Sequence, residues 1–255
     1  MTKVRDIFDN LNSWAPTSSC ESWDNVGLLV GHMDAEVSKV LVALDITKGV
    51  MEEAADIGAE LIVAHHPVIF SPIKSLTENG ADSFRALYLA ENRIAAICMH
   101  TNLDFAPDGV DQTLPKTLGF GDSKPLSEEG GRISELTEFV SLKYLLPKVK
   151  SALNASGLRY YDAGRPVKKI ATVCGSGGSY LSYCISEGCD TLITGDIKHD
   201  VFVEAEICGI NLIDAGHFNT ENLIVPVIVD RLKAAFTDVD VSASKVLTEP
   251  ARFFM

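Results

Sequence analysis

Apolar and polar positions fall along this chain in blocks with two different periods. At the start, MTKVRDIFDNLNSW places Val4, Ile7, Phe8 and Leu11 on one face with charges opposite, which predicts an amphipathic helix. Residues 39–65, KVLVALDITKGVMEEAADIGAELIVAH, read as an apolar run, a turn, a helical stretch, a glycine and a second apolar run. Strands alternating with helices of that length predict a parallel sheet. Residues 61–70, LIVAHHPVIF, then end an apolar run in two adjacent histidines and a proline. Neighbours on a strand face opposite ways, so such a pair is unusual for packing.

The plan repeats. Residues 169–195, KIATVCGSGGSYLSYCISEGCDTLITG, follow the first unit at an offset of 130 without a gap: Val40 falls on Ile170, Ala54 on Cys184, Gly58 on Gly188, Ile62 on Leu192. At that offset His65 and His66 fall on Gly195 and Asp196. A second echo follows each unit. IAAICMHTNLD and INLIDAGHFNTE both end in His-x-Asn-x-acid: His100, Asn102 and Asp104 in the first, His217, Asn219 and Glu221 in the second. Any two β-α-β units share a hydrophobic pattern, but two matching polar signatures at strand ends are harder to attribute to chance. The expected architecture is two related α/β lobes with mainly parallel sheets, 1–125 and 126–255, joined within 121–166. There Pro125, Gly130 and Gly131 mark a turn or loop. SLKYLLPKVKSALNASG predicts a helix with Leu142, Leu145, Leu146 and Val149 on its apolar face and a kink or break at Pro147.

Composition narrows the function. Hydrophobic content of 46% with 22% charged residues is ample for a core. A formal net charge of −13 disfavours a general role in gripping nucleic acid, which needs clustered cations. The longest apolar run, Leu223–Val229, is far short of the roughly 20 residues that span a bilayer, and no targeting segment is expected. The six cysteines show no C-x-x-C, and read as small core residues of a reduced, cytoplasmic protein.

Ligands of open α/β sheets gather at the carboxyl ends of the strands. His65, His66, His100 and His217 all follow apolar runs and so stand where that rule puts a site. Pro67 ends strand pairing after His66 and lets both imidazoles turn to one rim. Asn219 or Thr220 could cap a helix through ENLIVPVIVDRLKAAF, interrupted at Pro226, so that His217 and Glu221 share a crevice. Singly, each residue has a plain structural explanation. Together, three imidazoles and two carboxylates form a ligand set suited to Zn, Mn, Fe, Co or Ni. Adjacent histidines do not easily chelate one ion but can serve two, with carboxylates bridging. GSGGS (175–179) could cradle a phosphate on the amides of Gly175, Gly177 and Gly178, although a tight turn explains it as well. In TLITGDIKHD, Lys198 could contact an anion, and Asp196 or His199 could handle a proton. Asp45 and Asn25 are candidates for supporting the ligands.

These blocks resemble a known family, the Nif-three-like proteins, often described as type-two GTP cyclohydrolase I. The resemblance runs through WDNVGLLVG, LVALDIT, GAELIVAHHPVIF, HTNLD with GVDQTL, GRISEL, CGSGGS, TLITGDIKHD and DAGHFNTE, in that order. It implies a two-lobed α/β fold in its short form, without the inserted domain of longer relatives. It also implies a dinuclear metal centre at the lobe interface, with His65, His66, Asp104, His217 and Glu221 as protein ligands. A ring-shaped homohexamer follows from the resemblance too. Asp200 departs from the family's pattern, standing where many relatives carry a second histidine. The expected activity is a metal-dependent hydrolase acting on a nucleotide or phosphoester, two ions roughly 3.5–4 Å apart acidifying a shared water. His100 is the expected acid–base or supporting group. The alternative is a non-catalytic metal-binding regulatory or interaction protein.

Overall fold

The computed structural model describes residues 1–254; Met255, the last residue of the expected second lobe, lies outside them. In chain order the strands are β1 (Gly27–Val30), β2 (Lys39–Ala43), β3 (Leu61–Ala64), β4 (Ala95–Cys98), β5 (Ser123–Ser127), β6 (Gly130–Val140), β7 (Arg159–Tyr161), β8 (Val167–Ser176), β9 (Thr191–Gly195), β10 (Asn211–Asp214) and β11 (Asp240–Ala243). The helices are α1 (Val4–Trp14), α2 (Lys48–Ile57), α3 (Ala81–Glu91), α4 (Thr101–Asp104), α5 (Val110–Thr117), α6 (Leu142–Ala152), α7 (Leu181–Ser186), α8 (His199–Cys208), α9 (His217–Glu221) and α10 (Ile224–Ala235). No helix among the described residues is long and apolar enough to cross a membrane.

Two compact units result, each built from two segments: Met1–Pro107 with Ile224–Thr248, and Asp108–Leu223 with Glu249–Met255. The expected lobes were contiguous, 1–125 and 126–255. The difference arises because α10 packs on β2 and β11, and β11 pairs parallel with β2, which carries 224–248 back to the first unit. At the other boundary α5 packs on β6 and β8 and so belongs to the second unit.

The first unit is a sheet in the order β1-β4-β3-β2-β11, parallel except for β1. Its inner strands β3 and β4, and β2 after Lys39, are continuous buried apolar runs, as strands covered on both faces require. Between β2 and β3, α2 starts where the Thr47 side chain accepts from Val50 N–H and stops at Gly58, whose left-handed φ of +69° closes the helix. Val50, Met51 and Ala54 face inward onto Leu41, Ile62, Ala64 and Ala96. Truncating Leu41 or Ile62 to alanine would cost about 2–5 kcal/mol.

The second unit is a sheet in the order β5-β6-β8-β9-β10-β7. Its centre, β8-β9-β10, is parallel, while β5, β6 and β7 pair antiparallel at the edges. The turn or loop expected around Pro125, Gly130 and Gly131 is a tight turn at 128–129 that joins β5 and β6 in a hairpin. Pro125 is tolerated there because β5 is an edge strand that needs no donor on its outer side. α6 runs unbroken through Pro147, with Leu142, Leu145 and Val149 buried. Near the chain's end the helical pattern divides at Asn222–Leu223, so Pro226 sits in the first turn of α10, where its missing N–H costs nothing.

Candidate metal centre

β3 and β4 are parallel neighbours in register, Ala64 opposite Cys98, so the residues after them leave the sheet at one edge. Pairing continues briefly: His66 N–H donates to Leu44 O at 2.9 Å and Met99 N–H to Ala64 O at 2.9 Å. Strand alternation then lapses, and the His65 and His66 rings lie 5.0 Å apart with a tilt of 47°. His100, reached from β4, stands edge-on to both at 5.2 and 5.5 Å. One potential ligand atom of each of the three lies within 4.8 Å of the other two.

The hydrogen bonds decide which nitrogen is available. Buried His65 has Nδ1 2.8 Å from Met99 O, a carbonyl that can only accept, so Nδ1 carries the proton. His66 Nδ1 lies 2.7 Å from Asp45 Oδ1, and His100 Nδ1 lies 2.8 Å from Asp24 Oδ1. In each neutral ring Nε2 therefore keeps its lone pair, the state in which histidine ligates a metal. Asp104 Oδ1 stands 3.6 Å from His65 Nε2. Burial alone would raise the Asp24 carboxyl. Hydrogen bonds from His100 and from Thr101, through both its hydroxyl (2.6 Å) and its N–H (3.1 Å), outweigh that and hold it well below the usual carboxylate range.

In the second unit His217 opens α9 directly after Gly216, rather than ending a strand, and Asn219 and Thr220 lie inside that helix instead of capping it. Its Nδ1 is 2.8 Å from Asp196 Oδ2 and its Nε2 is 2.9 Å from Glu221 Oε2, one helical turn on. Asp214 accepts from Gly216 N–H (3.1 Å) and Ile197 N–H (3.2 Å), and pairs with Arg159, which fixes the turn before His217. Gly175 has φ +56°, and a Cβ there would fall 2.2 Å from Glu221 Oε1; only glycine leaves room for that carboxylate. A Cβ on Gly195 would likewise meet His217 N at 2.6 Å. Asp196, His217, Asn219, Arg159, Asp214 and Phe253 line a cavity of about 240 Å³ in this unit.

The other expected residues have plainer surroundings. Gly175 N–H donates to Thr220 Oγ1 (3.0 Å) and Gly177 N–H to Thr194 Oγ1 (2.8 Å), so two of the three amides a phosphate cradle would use are committed within the protein. Gly178 opens a short 3₁₀ turn against Val201. Lys198 precedes α8 and His199 starts it, both exposed, with Asp200 beside them. Asn25 Nδ2 donates to Ile69 O at 2.6 Å, a loop tie. Sequence reasoning missed Asp24, Asp214 and the Met99 carbonyl. Asp24 reaches His100 because β1 pairs antiparallel with β4, Gly27 opposite Cys98, a contact between residues 76 apart that no local pattern announces.

The expected core cysteines divide. Cys98, Cys184 and Cys189 are buried, Cys20 and Cys174 half-buried, and Cys208 exposed; all six are free thiols.

Comparison with known proteins places the chain and its fold among relatives. A model of the family Duf34/NIF3 (NGG1p interacting factor 3) matches residues 2–250. A Clostridium perfringens protein named GTP cyclohydrolase 1 type 2 homolog is 34% identical over 260 residues, covering 98% of this chain and 99% of its own length. The crystal structure of a Staphylococcus aureus hypothetical protein superposes with a TM-score of 0.90 at 30% identity, covering 99% of each chain. A Bacillus cereus protein related to NIF3 shares the fold at a TM-score of 0.92 and 22% identity. No inserted domain interrupts the fold.

Proposed function

The chain belongs to the Duf34/NIF3 (NGG1p interacting factor 3) family, and on that premise we propose that it is a metal-dependent hydrolase acting on a nucleotide or related phosphoester. His65, His66 and Asp104 of the first unit and His217 and Glu221 of the second supply ligands for two divalent cations of the Zn, Mn, Fe, Co or Ni class. The observation that carries this reading is that Nδ1 of His65 and of His66 faces a fixed oxygen acceptor, which places the proton of each neutral ring on Nδ1, the tautomer that ligates a metal through Nε2. Buried imidazole paired in this way is the arrangement expected of metal ligands and their supporting shell. The His217–Glu221 contact joins two groups of the same ligand chemistry.

When bound, such cations supply Lewis acidity and acidify a water molecule at neutral pH. The chain's own groups do the rest. Met99 O, Asp45 and Asp196 orient His65, His66 and His217 through Nδ1. His100, held at Nδ1 by the ionised Asp24, is the group placed to give or take a proton at Nε2. The free cysteines suit the reducing cytoplasm, and assembly as a homohexamer belongs to the same reading; sedimentation of the purified protein tests the latter.

The test of function is metal content together with turnover. Protein loaded with Mn, Zn or Fe(II) should bind about two equivalents per chain and hydrolyse a member of a panel of nucleotides, GTP included, and phosphoesters. His66→Ala should abolish both. Full loading without turnover across the panel would rule out the hydrolase and leave a metal-binding protein.

A further inference from the structure

Beside the histidine cluster, two large aromatic side chains stand in solvent. Trp23 is 58% exposed and Phe70 47% exposed. Their ring centroids are 5.9 Å apart with planes inclined at 56°, and both meet the His100 ring edge-on, at 6.1 and 6.4 Å. Leaving two such rings side by side in water forgoes burial that would stabilise the fold.

The loops carrying them are tied down by their neighbours. Asp24, next to Trp23, is bound by His100 and Thr101. Asn25 Nδ2 donates to Ile69 O at 2.6 Å, joining the Trp23 loop to the residue before Phe70. Phe70 N–H donates to Asp82 Oδ2 at 3.2 Å. The backbone bonds are thus spent on holding the rings, while the rings themselves remain uncovered. Arg85 is engaged with Asp82 at 2.5 Å and with the Val68 carbonyl, so its charge is already balanced.

We propose that Trp23 and Phe70 form a stacking platform for a planar heteroaromatic ring of purine size, presented with its edge toward His100. An uncharged pair of pre-positioned π faces suits a nucleobase and offers nothing to a phosphate. The inference rests on the hydrolase reading for what happens next to the ring, but binding of the ring is measured separately.

The chain has two tryptophans, and Trp14 is buried, so Trp14→Phe leaves Trp23 as the sole reporter. In that metal-loaded background, guanosine and adenosine should quench Trp23 emission saturably and ribose should not. Phe70→Ala should weaken the quenching affinity about tenfold, and Phe70→Leu, which keeps apolar bulk without a π face, should weaken it too. Absence of saturable quenching, quenching matched by ribose, or affinity indifferent to both Phe70 variants would overturn the platform. So would an emission change with protein concentration alone, which would mean that a second copy covers the rings. Quenching without turnover of any member of the panel of nucleotides and phosphoesters would sink the hydrolase reading and leave the platform standing.

Discussion

After β3 the first unit carries His65 and His66; at the offset of 130 the second carries Gly195, the last residue of β9, and Asp196. After β2 the first unit has Asp45, which holds His66; the corresponding residue in the second is Gly175, whose missing side chain admits the Glu221 carboxylate. The residues that do correspond, His100 and His217, are both held at Nδ1 by a carboxylate, but from different places. Asp24 comes from the loop before β1, whereas Asp196 comes from the end of the neighbouring strand β9. The environments differ as well: the His65 side chain is fully buried, while that of His217 is 35% exposed. One β-α-β plan therefore delivers polar residues to the same rim twice, while the identity at each strand end decides whether it supplies a ligand, an orienting acid or empty space.

The largest expected effect separates the two units as metal binders. If His65 is the buried ligand proposed above, His65→Ala should weaken metal binding by more than about a hundredfold, beyond what loss of an outer hydrogen-bond partner costs. His217→Ala should do less, because its site is more open. Metal content after dialysis checks this, and an emptied His217 variant beside a loaded His65 variant would reverse the comparison. Next come the orienting acids, whose loss typically costs about 10–100-fold in affinity. Asp45→Asn, which loosens His66, should cost more than Asp196→Asn, which loosens His217, since the Asp45 side chain is 40% exposed and that of Asp196 57%. Equal losses in competition against a chelating dye would remove burial as the reason.

Gly175→Ala tests the space given to Glu221. A Cβ at left-handed φ costs about 1–2 kcal/mol before the contact with the carboxylate is added. A lowered melting temperature is expected, whereas Asp45→Ala at the corresponding place carries no such backbone penalty. An unshifted melt for Gly175→Ala would show that α9 can move aside. The smallest effect is in pH. Because the Asp24 pKa is depressed in the folded protein, its stabilisation is fully present above the ordinary carboxylate value, and is lost as pH falls below that value toward the depressed one. Urea midpoints between pH 6 and pH 3 should drop less for Asp24→Asn than for the parent. Parallel curves would mean that the carboxyl is not held down.

Much of this was legible in residue order. The β-α-β grammar, the offset of 130, the strand-end histidines and the α1 face all follow from local periodicity, and each corresponds to an observed element. The turn marked by Pro125, Gly130 and Gly131 falls at 128–129, and Pro125 itself lies in β5 because an edge strand needs no donor on its outer side. GSGGS could cradle a phosphate or simply form a tight turn, because glycine permits close approach by anything; here the approaching groups are Glu221, Thr220 and Thr194. Asp24 was invisible as a partner of His100 because sequence separation says nothing about which strands pair.

By itself the sequence determined the types of element, the places where apolar runs end, and the chemistry waiting at those ends, because each depends on residues a few positions apart. Tertiary structure alone decided that 224–248 completes the first sheet, that Asp24 and Asp196 hold Nδ1 of His100 and His217, and that Trp23 and Phe70 stand exposed beside His100. Those outcomes depend on which strands become neighbours and on which hydrogen bonds close between distant loops. A hydrophobic pattern specifies that a surface must be covered; it does not name the segment that covers it.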